Sequence, residues 1–261
     1  MFVDSHCHLS FPELAERIDA IRADMASARV DKALCICTTL EEFDTVHALA
    51  RRFDNFWCSA GVHPDNEGVR EPGVDDLVAL AGRPRVVAIG ETGLDYYRLG
   101  DRSLDEMAWQ RDRFRIHIRA ARATGLPLVI HTRSASADTL RILREEGGDE
   151  VGGVFHCFTE TLDVARAALD LGFYVSFSGI VTFKNATELQ DVARFVPLDR
   201  CLIETDSPYL APVPFRGKTN TPALVPYVAA RLAELKELAL EVVAEATTSN
   251  FESLFKTSGK T

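Results

Sequence analysis

Metal-binding side chains recur at the ends of short apolar runs along this chain of 261 residues. Each run is rich in Val, Ile, Phe or Cys and closes on a polar residue. Imidazole and carboxylate groups are ligands of divalent cations, and their mixture suits Zn²⁺ or Mn²⁺ better than Ca²⁺. Six of the closing residues are therefore the candidate ligands of a dinuclear metal site: His6, His8, Glu91, His131, His156 and Asp206.

The apolar runs alternate with amphipathic stretches. Nearly uninterrupted apolarity is typical of strands buried on both faces of a parallel sheet, whereas apolar residues at helical spacing indicate helices. The predicted strands span residues 2–8, 32–39, 56–63, 86–91, 128–131, 153–157, 173–178 and 201–206. The clearest predicted helices span residues 14–29, 106–124, 135–146 and 162–171.

Eight β-then-α repeats in a chain of this length predict a single-domain TIM (β/α)8 barrel over residues 1–261. An open, doubly wound sheet is the alternative, but such a sheet binds its ligand at a switch point between a few strands. Here the first, fourth, fifth, sixth and eighth strands all contribute candidate ligands. The closed barrel gathers them at the carboxyl ends of its strands.

Strand geometry and barrel closure divide the candidates into two groups. His6 and His8 are two positions apart, so both project to one face of the first strand and can hold one cation. Asp206, on the last strand, lies beside the first strand in a closed barrel and can join them. Glu91 offers two oxygens with which to bridge two cations, and His131 and His156 complete the second group.

The composition predicts one globular domain, with 46% hydrophobic and 26% charged residues. No run approaches the ~20 apolar residues of a membrane helix, and the first residues lack the pattern of a signal peptide. The six cysteines fall in predicted strands without a CxxC pair, which indicates reduced core residues of a cytoplasmic protein. No feature demands a protein partner, and a monomer is expected.

Two cations roughly 4 Å apart can activate water and stabilise both the attacking and the leaving oxygen of a displacement. Hydrolysis is therefore the predicted reaction class. Asp206 is placed to accept the proton of the water as well, so Asp206 and Glu91 are the predicted catalytic residues. The ligand types do not fix the identity of the two divalent cations, and Mg²⁺, Mn²⁺ and Zn²⁺ all stay open.

Longer motifs around these residues resemble those of the TatD family of metal-dependent deoxyribonucleases, among the amidohydrolase-like barrels, and most closely its bacterial YcfH branch. The resemblance spans the whole chain. It implies a barrel hydrolase with His6, His8, Glu91 and Asp206 on one metal, and Glu91, His131 and His156 on the other. The motifs are Asp4-Ser5-His6-Cys7-His8-Leu9, Gly61-Val62-His63-Pro64, Gly90-Glu91-Thr92-Gly93-Leu94-Asp95-Tyr96-Tyr97, His156-Cys157-Phe158 and Glu204-Thr205-Asp206-Ser207-Pro208-Tyr209-Leu210.

Three positions depart from the common pattern of that family. Ser134 stands at the position after the His-x-Arg of the fifth strand, where an acidic residue is often found. Asp65 follows His63-Pro64, where His or Leu is frequent. Thr221 replaces a common Glu in the Asn-x-Pro motif. None of them removes a candidate metal ligand. All three lie in loops after strands, where they bear on substrate preference.

Four residues are the predicted substrate contacts. His63, at the end of the third strand, is expected to donate to a phosphate oxygen, the alternative being that it fills the wall of the site. The loop after the eighth strand brings Arg216, Lys218 and Asn220 to the rim where barrels often bind phosphate, and the family resemblance implies that it faces substrate. An exposed polar loop is the other interpretation.

Tyr96, Tyr97, Phe183 and Tyr209 are candidates for base stacking. His47 and His117 fall in predicted helices and are expected to lie away from the site.

The net charge of −10 argues against a broad duplex-binding surface. Two bound cations would still attract a few nucleotides of a strand end, so the leading prediction is a TatD-type deoxyribonuclease that cleaves phosphodiester bonds from single-stranded DNA ends. The alternative is a hydrolase of small esters, lactones or amides, or of an aminoacyl-tRNA ester. A non-catalytic, metal-stabilised scaffold is the third interpretation, and it leaves the six candidate ligands without a use.

Overall fold

Eight parallel strands form one sheet in which every strand pairs with its neighbours in sequence. The computed structural model describes residues 1–257. The strands are β1 (Phe2–Cys7), β2 (Val30–Cys35), β3 (Phe56–Ala60), β4 (Val86–Asp95), β5 (Leu128–Arg133), β6 (Gly153–Phe155), β7 (Tyr174–Phe177) and β8 (Cys201–Ile203). The sequential parallel order confirms the predicted (β/α)8 barrel.

The seam between β8 and β1 is closed by residues at the carboxyl end of β1 and in the loops that follow the two strands. Cys7 and Ser207 form a parallel bridge, the His8 N–H donates to the Ser207 carbonyl at 2.9 Å, and the Asp206 N–H donates to the His6 carbonyl at 3.0 Å. The carboxyl ends of the first and last strands are therefore tied together at the predicted metal ligands.

Helices follow the strands and cover the outside of the barrel. They are α1 (Pro12–Ala15), α2 (Ile18–Ser27), α3 (Phe43–Arg52), α4 (Val74–Ala81), α5 (Ala108–Thr124), α6 (Ser136–Glu145), α7 (Leu162–Asp170), α8 (Thr187–Phe195), α9 (Val225–Lys236) and α10 (Leu240–Phe255). The single helix predicted over residues 14–29 was wrong, because the chain divides there into α1 and α2. None of the helices in residues 1–257 is long and apolar enough to cross a membrane.

Two apolar clusters use the two faces of the sheet. The larger one joins strand residues to the helices around them. The smaller one contains strand residues such as Val3, Leu34, Val129 and Leu202, together with Phe251 and Phe255 of α10. Since alternate residues of a strand point to opposite faces, the smaller cluster fills the barrel interior.

Gly93 lets β4 approach β5 next to a predicted ligand. Its φ of +127° is one that L side chains rarely adopt, and a Cβ atom there would lie 1.9 Å from the His131 carbonyl oxygen. Gly93 and His131 are register partners of the two strands. A glycine is therefore needed for the close pairing that places His131 beside Glu91.

His117 joins α5 to the end of β3 as a buried, neutral imidazole. The Val62 N–H donates to His117 Nε2 at 2.9 Å, so the ring proton is on Nδ1, which donates to the Arg113 carbonyl at 2.8 Å. Burial is the main cause that lowers the pKa of His117 to about 4. His117 thus supports the strand end that carries His63, as expected of a residue away from the site.

We expect the stability of the protein to fall on acidification through His117. The pKa is 6.5 in an unfolded chain and about 4 in the fold, so the unfolded state takes up the proton first. The contribution is present above pH 6.5 and is lost as the pH falls towards 4, by ~2 kcal/mol at pH 5. Urea unfolding of wild type and His117→Gln at pH 7.5 and pH 5 measures it. Equal losses of stability in the two proteins would contradict this assignment.

Candidate metal centre

Glu91 lies at the middle of the predicted ligands and is 2% exposed. Its Oε2 atom is 3.3 Å from His6 Nε2 and 3.9 Å from His8 Nε2. Its Oε1 atom is 2.8 Å from His156 Nε2, 3.3 Å from His131 Nδ1 and 3.3 Å from His63 Nε2. The two carboxylate oxygens therefore face two separate sets of imidazoles.

Asp206 completes the set around Oε2. Its Oδ1 atom is 3.3 Å from His8 Nε2 and 3.6 Å from His6 Nε2, and its side chain is 15% exposed. The backbone of Asp206 has a φ of +55°, which is uncommon for a residue other than glycine. We call His6, His8 and Asp206 the Oε2 group, and His131 and His156 the Oε1 group.

The donor atoms in both groups have the spacing that a shared cation requires. Ligands about 2.1 Å from one Zn²⁺ or Mg²⁺ ion, at tetrahedral or octahedral angles, lie about 3.0 to 3.4 Å from each other. The contacts His6–Glu91, His8–Asp206 and His131–Glu91 are all 3.3 Å long. The six predicted residues thus fit two divalent cations with Glu91 between them.

Two further carboxylates orient the Oε1 group. Asp95 Oδ2 is 3.0 Å from His131 Nε2, and Glu204 Oε1 is 3.2 Å from His156 Nδ1. A carboxylate accepts the proton of the ring nitrogen that it contacts, which leaves the lone pair on the other nitrogen. His131 and His156 therefore direct lone pairs toward Glu91 Oε1, as metal ligands must.

His63 has the opposite tautomer. The Asp65 N–H donates to His63 Nδ1 at 3.0 Å, so the proton of the neutral ring is on Nε2, the atom that faces Glu91. A nitrogen that carries a proton donates hydrogen bonds and has no lone pair for a metal. Although His63 stands as close to Glu91 as His131 does, its geometry fits a hydrogen-bond donor better than a third ligand of the Oε1 group.

The charges of the site compensate each other without lysine or arginine. Within residues 1–257, all ion-pair partners of Glu91 and Asp206 are histidines. Burial alone would raise the pKa of Glu91, but its electrostatic interactions with His156, His63 and His6 outweigh burial and hold that pKa well below its usual value. The centre is therefore arranged around an ionised carboxylate.

An open cavity of about 620 Å³ leads to this centre. Glu91, His8, His63 and Asp206 line it, as do His131 and His156. His6 is fully buried behind them. The structure thus brings the six predicted ligands and His63 together at the carboxyl ends of the strands, with access from one side.

The three substrate contacts predicted after β8 do not line the cavity. Asn220 is buried, its amide donates to the carbonyls of Thr205 and Tyr209, and its Oδ1 accepts from the Thr221 N–H. Its hydrogen bonds therefore hold the loop in shape. Arg216 and Lys218 are exposed and lie over the rings of Phe183 and Phe215.

Sequence reasoning missed four polar residues that the structure places at the site. Asp95 and Glu204 orient ligand histidines, and Arg98 and Arg133 line the cavity. Asp95 and Glu204 did lie inside quoted motifs, and Arg133 follows His131 by two positions on β5. The period of two in a strand was the available signal, because residues two apart share a face.

Comparisons with known proteins agree with this geometry. A family model described as "TatD related DNase" matches residues 3–256. A relative from Escherichia coli, the uncharacterized metal-dependent hydrolase YcfH, is 50% identical over 257 residues, which cover 97% of this chain and 95% of that protein. A relative from Cronobacter turicensis, named 3'-5' ssDNA/RNA exonuclease TatD, is 35% identical over 243 residues and 91% of each chain.

Solved structures give the same result for the fold. The crystal structure of YjjV, a TatD homologue from Escherichia coli, superposes with a TM-score of 0.89 at 28% identity and covers 98% of both chains. A TatD family hydrolase from Entamoeba histolytica has a TM-score of 0.83 at 22% identity and 97% coverage of both chains. The match therefore extends over the whole barrel.

We expect Glu204→Gln to weaken metal binding at the Oε1 group. The substitution keeps the size of the side chain and an oxygen for the Cys157 N–H, but it removes the negative charge beside His156. Loss of such a carboxylate typically lowers metal affinity about 10- to 100-fold. Calorimetric titration of chelator-treated protein with Mn²⁺ measures this. Glu241→Gln, on α10, is the control, and unchanged affinity in Glu204→Gln would contradict the role given to Glu204.

Proposed function

This chain belongs to the TatD family of metal-dependent hydrolases, and on that basis we propose that it cleaves phosphodiester bonds from the ends of single-stranded DNA. One observation carries the proposal: the oxygens of the buried Glu91 carboxylate face two separate ligand groups at the base of an open cavity. That arrangement fits two divalent cations. Hydrolysis by a two-cation centre is well suited to phosphodiesters.

The relatives support the choice of substrate. The matching family model carries DNase in its description, and the Cronobacter relative is named as an exonuclease of single-stranded DNA and RNA. The net charge of −10 also favours a short contact with a strand end over a broad contact with duplex.

The bound cations would supply the Lewis acidity that activates a water molecule and stabilises the attacking and leaving oxygens. Asp206 is the proposed acceptor of the proton of that water, because it is the least buried carboxylate of the ligand set and lines the cavity. Glu91 lies between the two ligand groups and sets the distance between them. His63 donates its Nε2 proton as a hydrogen bond to a phosphate oxygen.

We expect Asp206→Asn to lower turnover by at least 100-fold while most of the metal stays bound. The amide retains an oxygen beside His6 and His8, but it is a poor proton acceptor, and general-base catalysis contributes about 10²- to 10⁴-fold. The assay is nucleotide release from end-labelled single-stranded DNA, with chelator-treated enzyme titrated separately with Mg²⁺, Mn²⁺ and Zn²⁺. Metal content is measured by elemental analysis.

Asp199→Asn is the matched control, because Asp199 is an exposed carboxylate just before β8, at the opposite end of that strand. It should have the activity of wild type. Asp206→Asn activity within a few-fold of wild type would exclude Asp206 as the proton acceptor. Absence of cleavage with every metal, in protein that holds two cations, would exclude the nuclease and favour carboxyl-ester or amide substrates.

A further inference from the structure

Arg133 occupies the last position of β5, on the same face of the strand as His131. Two residues along a strand span about 7 Å, so Arg133 lies one step further out from the metal centre than that ligand. The Tyr96 N–H donates to the Arg133 carbonyl at 2.9 Å, and Arg133 is the register partner of Asp95. The side chain lines the cavity from an anchored backbone position.

The guanidinium of Arg133 is held by an aromatic ring. It lies 3.6 Å from the centroid of the Tyr97 ring, and Tyr97 is 61% exposed. No ion pair or hydrogen bond of this guanidinium occurs among residues 1–257. The nearby Asp95 carboxylate already accepts hydrogen bonds from the Tyr97 N–H and from His131. The five N–H donors of Arg133 are therefore available to a ligand.

The other arginine of the cavity differs in this respect. Arg98 Nη1 lies 3.0 Å from Asp65 Oδ2, so its charge is largely compensated. Asp65 is one of the positions at which this chain departs from the common family pattern. Arg133 is thus the arginine of the cavity whose guanidinium has neither an ion pair nor a hydrogen bond among residues 1–257.

A stacked arginine alone does not make a binding site, and this chain has others. Arg166 lies 4.7 Å from the centroid of the Phe195 ring, but neither residue lines the cavity. Arg133 differs from these in its position. Its backbone lies about 7 Å beyond that of His131 along β5, which is roughly one nucleotide step. Its side chain lines the cavity that a polyanionic substrate would enter. A planar guanidinium with free donors is suited to bidentate contact with phosphate.

We propose that Arg133, supported by Tyr97, binds the phosphate next to the one that is cleaved, so that the enzyme selects chains with at least two phosphodiester groups. This inference rests on the proposed nuclease function. It deepens that function, because it separates polynucleotide substrates from esters that carry a single phosphate.

The test compares the dinucleotide TpT with the trinucleotide TpTpT, which is longer by one thymidine and carries a second phosphodiester group, using metal-loaded enzyme. In wild type the second phosphate should raise kcat/KM roughly tenfold, as a charge-assisted hydrogen bond allows. In Arg133→Gln the ratio of the two kcat/KM values should fall to within about twofold of unity. The loss should be in KM rather than kcat, because this phosphate is remote from the reacting bond.

Two further variants should change the preference for TpTpT in opposite directions. Asp65→Asn should raise the preference for TpTpT two- to threefold, because it frees the charge of Arg98. Tyr97→Leu should lower the preference less than Arg133→Gln does, since the arginine remains without its support. Arg166→Gln is the matched control, as a stacked arginine away from the cavity, and should match wild type.

The outcomes separate the two proposals. Cleavage of neither substrate by wild type would overturn the proposed function. Cleavage of both, with Arg133→Gln lowering kcat/KM for TpT and TpTpT by the same factor, would leave that function in place and overturn this inference, because Arg133 would then make no contact specific to the second phosphate. A preference for TpTpT that disappears only when Arg133 or its support is changed would establish the phosphate site.

Discussion

A buried carboxylate that must stay ionised is the constraint around which this molecule is arranged. An isolated charge as buried as that of Glu91 costs several kcal/mol unless it is paired. The chain surrounds that carboxylate with imidazoles that contact it and would hold cations beside it, contributed by β1, β5 and the loops after β1, β3 and β6. No local segment could supply them together. The closed barrel is the structure that brings five different parts of the chain to one carboxylate.

Much of this arrangement could be predicted from the sequence because it follows from periodicity. Apolar strands that each end on a polar residue indicated the barrel, and the six residues proposed as ligands do meet at one end of it. Other features depend on contacts between distant residues. The tautomer of His63 is set by the backbone N–H of Asp65, and the role of Asn220 is set by carbonyls 15 and 11 residues away. Neither contact leaves a pattern in the sequence.

The proposed function requires a protein with a net charge of −10 to bind an anionic substrate. The positive charge needed at the centre comes from bound cations in our proposal. On the wall, Arg98 is paired with Asp65, whereas Arg133 lies against the Tyr97 ring without an ion pair among residues 1–257. In the proposed function, attraction for phosphate would therefore be confined to the cavity, because the net charge of the protein disfavours broad contact with nucleic acid. Such a distribution would suit a short strand end better than duplex.

The seam between β1 and β8 has a consequence for the order of events during synthesis. His6 and His8 precede Asp206 by about 200 residues, because Asp206 follows the last strand of the barrel. The hydrogen bonds from His8 to Ser207 and from Asp206 to His6 form only when that strand docks. The nascent chain therefore lacks one of the six candidate ligands until the segment after β8 has been made. The metal centre is thus completed in the same step that closes the barrel.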